Sequence, residues 1–482
     1  MFNRLEDTRM SSLSSFSNLI ENGDLWAAHV AEHSQLADER LDARLGMILA
    51  SLVAKPADSI PQASGNCGQA KAMYRFFANE RVEPDDLLQP IADATIESLG
   101  GLKTVLAVQD TTSLNYSSLE STTGLGPLND SSRAKGLHCH TCIAVREDGV
   151  AVGILDQKYW ARPAEKRPTD EHHGLPIDQK ESYKWLEAIE AAETAVEALP
   201  AEVRPRLIHV MDREGDIHEV LERLSESPHG AVIRCAQNRS VSGDVNLAFA
   251  AVEATPILAT VTIAAPGTSQ ANPVTPRSVT LALRVTTLTI TPNKRKYPQR
   301  RPVTWTLLDA REINAAEGVE ALHWRLWTKE TVTTVEDCQT VLRYYRFRWR
   351  IEDFHLTLKS GCQVEKLELE KAVRLIKAAT LYSAVAIRIV ALRDLVRVTP
   401  DAPCTVILTE AEWQSLYVRF SKKKLSAATP PPTLEQAVKW IGRLGGHLGR
   451  KRDGMPGVRT LWRGLRDLSL LATGFHAGRI SR

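Results

Sequence analysis

RLIHVMDREGDIHEVLERL, residues 206–224, decides the fold, because an apolar run of strand length ends in an acid and is followed by helical spacing. TVLAVQD at 104–110 has the same form, and it closes on Asp110 as the first run closes on Asp212. AVIRC at 231–235 is a further short run of strand type. Strands that alternate with helices predict a mixed α/β core.

A hairpin and a helix lie between these first two strands. LHCHTCIAV (137–145) and VAVGILDQKYW (150–160) flank an Asp-Gly turn, which is a strong hairpin signal. Residues 180–199 have the spacing of a helix. Cys139 and Cys142 form a Cys-x-x-Cys pair, but no second pair accompanies them, and the alternation around them favours a strand over a zinc site.

Residues from about 236 to 335 interrupt this order with segments rich in Val, Thr and Ile, which predict an antiparallel β insertion. One loop of the insertion is strongly basic. A solvated hairpin tip explains this loop, and so does contact with nucleic acid, since clustered like charges repel one another without a partner. Its positive residues are Lys294, Arg295, Lys296, Arg300 and Arg301.

Helical regions flank the core. In the first of them, Asp38 is the predicted N-cap of a helix that carries Arg40 and Arg44 four residues apart. These two arginines form either a solvated face or a phosphate contact. The predicted division of the chain is a helical region at 1–72, an α/β region at 73–398 and a second helical region at 399–482.

Composition narrows the class of protein. The chain has 482 residues, 43% hydrophobic and 24% charged, as in a globular protein with a sizeable core. Its net charge of +2 does not argue for nucleic acid, so that case depends on local patches. Seven cysteines and no signal-peptide pattern predict a reducing cytoplasm. We expect no membrane span, because no apolar run approaches roughly 18 residues.

A second decisive stretch is YRFRWRIEDFHLTLKSG, residues 345–361, within a helix predicted from about 334 to near 398. A helical wheel divides it into three faces. The narrowest face is the one that carries Glu352, and it borders the apolar face. Glu352 is therefore expected to be half-buried among cationic side chains. The faces are an apolar one (Phe347, Ile351, Phe354, Leu358), a mixed-charge one expected to be solvated (Arg346, Arg350, Asp353, Thr357), and a stripe of Tyr345, Arg348, Glu352, His355 and Lys359.

Three carboxylates can be assembled from these stretches. Asp110 and Asp212 each end a predicted strand, and ligand sites in open α/β sheets gather at the carboxyl ends of strands. Glu352 alone suits a structural ion pair or a metal ligand, and the two aspartates favour the second. Hard cations prefer such oxygens. The set therefore predicts two Mg²⁺ ions, with Mn²⁺ as a substitute, that promote attack by water or a 3′-hydroxyl on a phosphodiester.

The stripe also carries a family resemblance. The pattern Tyr-x2-Arg-x3-Glu-x6-Lys is present as Tyr345, Arg348, Glu352 and Lys359. The chain resembles the DDE transposases of the insertion-sequence-four family, above all its transposon-five branch. The segments QDTTSLNY and MDREGDIH around the two aspartates are similar to family stretches, as are QKYWARP and KESYKWL. The resemblance spans nearly the whole chain.

The resemblance implies an RNase H-like catalytic core that carries Asp110, Asp212 and Glu352 and is interrupted by the β insertion. It implies sequential phosphoryl transfers: nicking at a transposon end, hairpin formation, hairpin opening and strand transfer into target DNA. The N-terminal helix with Arg40 and Arg44 would bind ends with inverted repeats, and the C-terminal helices would pair two protomers.

Further DNA contacts follow from the same resemblance. A tryptophan of the insertion would stack near an unstacked base, with Trp324 the better match and Trp327 the competitor. His355, on the same stripe, is grouped with the DNA contacts, although its role stays open. The implied phosphate contacts near the cut are Tyr345, Arg348 and Lys359.

Two alternatives stay open. One is another two-metal nuclease on the same core, which would need the three acids but neither the stripe nor the long insertion. The other is a non-catalytic DNA-binding protein that inhibits transposition, against which all three acids argue. In each case the expected location is a bacterial cytoplasm, in association with DNA.

Overall fold

The computed structural model describes most of the chain. Lys296 and the first 22 residues of the predicted N-terminal helical region lie outside the described part. The described residues are 23–129, 133–164, 175–265, 277–295, 297–315, 319–450 and 453–480.

One mixed β-sheet occupies the centre of the described structure. Its strand order is β2-β3-β1-β5-β6-β10-β9-β8-β7, with β4 also paired to β3. The strands are β1 (Thr104–Asn115), β2 (Gly126–Pro127), β3 (Lys135–Arg146), β4 (Ala151–Trp160), β5 (Arg206–Met211), β6 (Gly230–Arg234), β7 (Ala259–Ala265), β8 (Arg277–Ile290), β9 (Val303–Glu312) and β10 (His323–Thr328).

The first half of the sheet has the order expected of an RNase H-like core. Strands β4, β3 and β1 are antiparallel neighbours, whereas β5 and β6 continue the sheet parallel to β1. Residues Val105, Leu106, Ala107 and Val108 are fully buried, as in a parallel strand covered on both faces. The predicted mixed α/β class with an RNase H-like core is confirmed.

The predicted hairpin and the strand around the cysteines are also confirmed. The amide of Gly149 donates to the carbonyl of Arg146 at the turn between β3 and β4. Cys139 and Cys142 both lie buried in β3, three residues apart. Successive side chains alternate between the faces of a strand, so the two thiols point to opposite faces and do not share a metal.

The β insertion continues the core sheet. Strands β7 to β10 are antiparallel to one another, as predicted. The last of them returns beside the core, where Leu326, Trp327 and Thr328 pair antiparallel with β6. The insertion therefore shares the hydrogen-bond ladder of the core, which fixes its position beside the carboxyl ends of β5 and β6.

Helices cover the sheet and form both flanks. Asp38 is the N-cap of α2, and its carboxylate accepts a hydrogen bond from the amide of Arg40, as predicted. The helices are α1 (Gly23–Glu32), α2 (Glu39–Ala54), α3 (Ile60–Ala63), α4 (Cys67–Ala78), α5 (Pro84–Leu99), α6 (Lys184–Glu197), α7 (His218–Glu226), α8 (Ala248–Glu253), α9 (Val335–Phe347), α10 (Trp349–Leu356), α11 (Ala372–Val398), α12 (Glu410–Phe420), α13 (Leu434–Leu444) and α14 (Val458–Ile480).

The prediction of one continuous helix from about 334 to near 398 is wrong. A turn at Arg348 separates α9 from α10, and α10 passes into a π-helical segment, Thr357–Gly361. Gly361 lies against the indole of Trp462, where an added Cβ would approach a ring atom to 2.8 Å. Gln363 then takes a left-handed conformation, with φ 54°, and the chain turns before α11. The chain thus leaves the helical path where Gly361 contacts the C-terminal helix α14.

Helix α11 corrects the expectation about apolar runs. Its 27 residues are long and apolar enough to cross a membrane, but 89% of its most apolar window is buried inside the protein. It packs against α2, α5, α10 and β4. Burial on all sides explains its composition, because a helix surrounded by protein needs no polar face.

Candidate active site

Asp110 and Asp212 lie side by side at the centre of the sheet. The parallel pairing of β1 with β5 ends at Val108 and Val210, and each aspartate is two residues beyond its strand's last pair. The prediction that Asp110 ends its strand is wrong, because β1 continues antiparallel to β3 as far as Asn115. Asp212 follows β5 as predicted.

Glu352 reaches this point from α10, which packs over β1. Arg348, at the turn between α9 and α10, joins the groups: its Nη1 lies 3.2 Å from Oδ2 of Asp110 and 3.2 Å from Oε1 of Glu352. The glutamate side chain is 43% exposed, in agreement with the expected half-burial, and that of Arg348 is 9% exposed. Arg348 and Glu352 are four residues apart and share one side of the helical path, which places one buried cation between two carboxylates.

Asp110 is the carboxylate most affected by its surroundings. Burial raises the pKa of Asp110 to about 7, with a further contribution from the Asp212 carboxylate and a smaller one from Glu352. Arg348 and the amide of Thr111, which donates to the aspartate at 2.7 Å, act in the opposite direction. A cation bound to the carboxylate oxygens of Asp110, Asp212 and Glu352 would stabilise their ionised form.

His355 lies beneath the carboxylates. Ligand atoms of Asp110, Glu352 and His355 are all within 4.8 Å of one another. Burial, together with the charges of Lys359 and Arg348, lowers the pKa of His355 to about 3, so the imidazole is neutral at physiological pH. Its buried Nε2 has no hydrogen-bond partner among the described residues.

The other stripe residues lie on either side of this centre. Tyr345 is 8% exposed, and its ring meets that of Trp324 edge to face with centroids 5.5 Å apart. Lys359 lies in the π-helical segment, with Nζ 3.7 Å from the Glu365 carboxylate. Tyr345, Arg348 and Lys359 remain predicted phosphate contacts.

A cleft of about 680 Å³ opens beside Asp212, between the insertion and α9. Only one of the two candidate tryptophans lines this cleft. Trp324 lines the cleft, whereas Trp327 is completely buried in the core and cannot meet a base without unfolding. Sequence reasoning missed the basic and aromatic residues that also line the cleft: Arg213, Arg234, Arg277, Arg325, Phe249 and Trp349. Trp349, within the motif stretch, had a signal there, and Arg213 and Arg325 directly follow Asp212 and Trp324. Arg234 and Arg277 had no such neighbour, and only the fold brings all four arginines to one cleft.

The prediction that the mixed-charge face of residues 345–361 is solvated is wrong, except at Arg346. Arg350 donates to the Gly149 carbonyl at 2.7 Å and lies 3.2 Å from the Asp394 carboxylate. Asp353 pairs with Arg393, and Arg393 also bonds Asp394. The residues of α11 explain this correction, since they bring opposite charges to this face. Thr357 of the same face is fully buried.

Acids of a neighbouring helix neutralise part of the basic loop. Arg300 pairs with Glu219 at 2.6 Å, and Arg301 pairs with Glu222 at 2.7 Å, both acids belonging to α7. Lys294 donates to backbone carbonyls within the loop, and Arg295 is exposed. The argument that these charges need an external partner therefore does not hold for Arg300 and Arg301. Their contact with DNA stays a prediction, and Lys296 lies outside the described residues.

The two arginines of α2 differ in setting. Arg40 is 91% exposed and bonds Asp38 at 2.8 Å, whereas Arg44 is half-buried on the same helix. Their predicted role in binding DNA ends is not decided by these contacts.

Comparison with known families adds two matches. The transposase DNA-binding family model matches residues 24–82, and the transposase Tn5 dimerisation-domain model matches residues 384–481. These matches indicate a DNA transposase, a DNA-associated enzyme of DNA cleavage and strand transfer with DNA-binding and dimerisation parts. The second model also agrees with the resemblance to the transposon-five branch.

One solved structure that this chain matches is a cryo-EM structure of a piggyBac transposase synaptic complex with hairpin DNA. The alignment covers 98% of this chain and 82% of the other, at 11% identity and a TM-score of 0.35. At that level of similarity it establishes neither family nor mechanism for this chain.

Proposed function

We propose that this protein is a DDE transposase of the insertion-sequence-four family that performs cut-and-paste transposition. The observation that carries the proposal is the meeting of Asp110 and Glu352 on Arg348, with Asp212 beside them, at the edge of an arginine-lined cleft. A structural ion pair needs one carboxylate for one arginine, whereas here Arg348 contacts two and a third lies beside them.

The donor set fits divalent metal. Asp110, Asp212 and Glu352 offer only hard oxygen ligands, which Mg²⁺ and Mn²⁺ prefer. Burial raises the pKa of Asp110, and the neighbouring carboxylates of Asp212 and Glu352 add to it, so a bound cation would stabilise the ionised form. When bound, two such ions promote attack by water or a 3′-hydroxyl and stabilise the leaving oxygen.

The chain's own side chains hold the DNA. Arg348 and Lys359 bind phosphate oxygens near the cut by charge-assisted hydrogen bonds, and Tyr345 supports them from the cleft wall. Trp324 offers a face on which an unstacked base rests during hairpin formation and opening. The reaction order is nicking, hairpin formation, hairpin opening and strand transfer.

The assembly that we propose is a homodimer that binds two transposon ends with inverted repeats, and then target DNA, in the cytoplasm. The matched DNA-binding and dimerisation ranges support this arrangement. We retain the domain division at 1–72, 73–398 and 399–482, with the catalytic residues in the middle part.

The test uses Glu352→Ala in the full chain, with Glu336→Gln as a matched control at an exposed position of α9. The substrate is a labelled duplex that carries the inverted repeat flanking the coding sequence. We expect Glu352→Ala to bind the duplex as the parent does and to lose Mg²⁺-dependent cleavage by about 10³-fold or more. Cleavage at normal rates would show that the assignment of Glu352 is wrong.

Strand transfer separates the transposase from the other nuclease. With a pre-cut end and a supercoiled plasmid, a transposase joins the 3′-hydroxyl to the plasmid, whereas a nuclease only degrades the substrate. End binding with neither product would instead support the non-catalytic inhibitor.

A further inference from the structure

A second cluster of metal-type ligands shares no residue with the carboxylate site. His29 occupies the last turn of α1, His33 follows its end, and Glu97 lies in the last turn of α5. The Nε2 atoms of His29 and His33 lie 3.3 and 3.1 Å from the same carboxylate oxygen of Glu97. We propose that these three residues bind a zinc-type divalent cation that clamps α1 to α5.

The spacing fits tetrahedral coordination. Zinc binds imidazole nitrogen and carboxylate oxygen at about 2.0–2.2 Å, which puts neighbouring ligand atoms about 3.3 Å apart. The two nitrogen–oxygen separations are close to this value, and all three ligand atoms lie within 4.8 Å of one another. His29 and His33 are four residues apart across the end of α1, the same spacing as the two histidines of helical zinc motifs.

The local charge also favours a cation. Both helices end at the cluster, and the carbonyl end of a helix carries partial negative charge. The last turn of α5 contains no basic residue to balance it, and it carries the Glu97 carboxylate. Among the described residues, the buried Nε2 atoms of His29 and His33 have no hydrogen-bond partner of proper geometry. A bound cation would satisfy both nitrogens and the carboxylate.

The three ligands favour a metal of intermediate hardness. Two imidazoles and one carboxylate suit Zn²⁺ better than Mg²⁺, which prefers oxygen ligands. The side chains of His29, His33 and Glu97 are 16%, 25% and 48% exposed, so water can complete the coordination. The two histidines lie inside the matched DNA-binding range and Glu97 lies outside it. The ion would therefore fix the DNA-binding part to a helix of the core.

Cobalt titration of the full chain tests the site, because tetrahedral Co²⁺ absorbs visible light and replaces Zn²⁺. The parent for the test carries Glu352→Ala, which weakens metal binding at the carboxylates. We expect one Co²⁺ per chain with a tetrahedral spectrum that Zn²⁺ abolishes. His33→Gln should weaken this binding by on the order of 100-fold, since even outer partners of metal ligands contribute tenfold or more. His476→Gln, at an exposed position of α14, is the control and should bind as the parent does.

Thermal unfolding gives the second readout. Zn²⁺ should raise the melting temperature of the parent and of His476→Gln, but not that of His33→Gln, while all three should melt alike in EDTA. Should His33→Gln fail to fold, Glu97→Gln takes its place, because that side chain is the most exposed of the three. The proposal is overturned if the parent binds no Co²⁺ in tetrahedral form, or if the ligand variants bind it as tightly as the parent.

Discussion

The two polar sides of α10 carry similar residues in different settings. On one side, Arg348 faces Asp110 and Glu352, with Asp212 and an arginine-lined cleft nearby. On the other, Arg350 and Asp353 are matched by the charges of Asp394 and Arg393 from α11. Matched charges hold two helices together, whereas an excess of one sign at a cleft leaves a site for a ligand. Charge balance in three dimensions therefore distinguishes a structural side from a functional one.

The largest effect is expected at Asp110. Asp110→Asn should lower the rate of Mg²⁺-dependent cleavage by about 10³-fold or more, because it removes a metal ligand that acts together with the other two acids. Single-turnover cleavage of the labelled end duplex measures this. Near-parental activity in the variant would show that the side of α10 facing Asp110 is not catalytic.

The same substitution should change how stability depends on pH in EDTA. The pKa of Asp110 is about 7 in the folded protein and 3.8 ordinarily, so the folded state binds more protons between these values. The stability that this proton contributes is complete below about pH 4 and is lost as the pH rises through 7, by roughly 2–4 kcal/mol. Urea unfolding from pH 5 to 8 should show this decline in the parent and much less of it in Asp110→Asn. Equal slopes would contradict the raised pKa.

On the structural side, Arg393→Ala should lower the free energy of unfolding by about 3–5 kcal/mol, because it leaves buried Asp394 short of a partner. Arg346→Ala, on the exposed surface of α9, is the control and should change stability by less than about 0.5 kcal/mol. Denaturant unfolding measures both variants. A small effect of Arg393→Ala would mean that this side of α10 is not a structural network.

The smallest effect concerns the basic loop. Arg295 is exposed, whereas Arg301 pairs with Glu222 and Glu226. If the loop contacts DNA, Arg295→Gln should reduce the slope of log affinity against log salt by about 0.9, the value for one phosphate contact. Arg301→Gln should reduce it less, because its charge is already compensated. Identical slopes in the parent and both variants would exclude the loop from the DNA interface.

Much of the fold was predictable because the core strands are local signals. The apolar runs that end in or contain Asp110 and Asp212, and the Asp148-Gly149 turn, have patterns that depend on neighbouring residues alone. The break at Arg348 was not predictable, because helical spacing continues through it. The turn after Gly361 was not predictable either, because Gly361 contacts Trp462, which belongs to a helix about a hundred residues away. The shared cleft of Arg213, Arg234, Arg277 and Arg325 was not predictable either, because four separate segments meet there.

The sequence by itself determined the order of strands and helices, the three acids and the spacing from Tyr345 to Lys359, since these depend on residue type and local periodicity. The tertiary structure alone decided which charges are balanced, that Trp324 and not Trp327 meets the cleft, and that His29, His33 and Glu97 converge. Helical periodicity shows which side of a helix faces the core, as it did for Glu352, but the identity of the partners depends on distant segments that pack together.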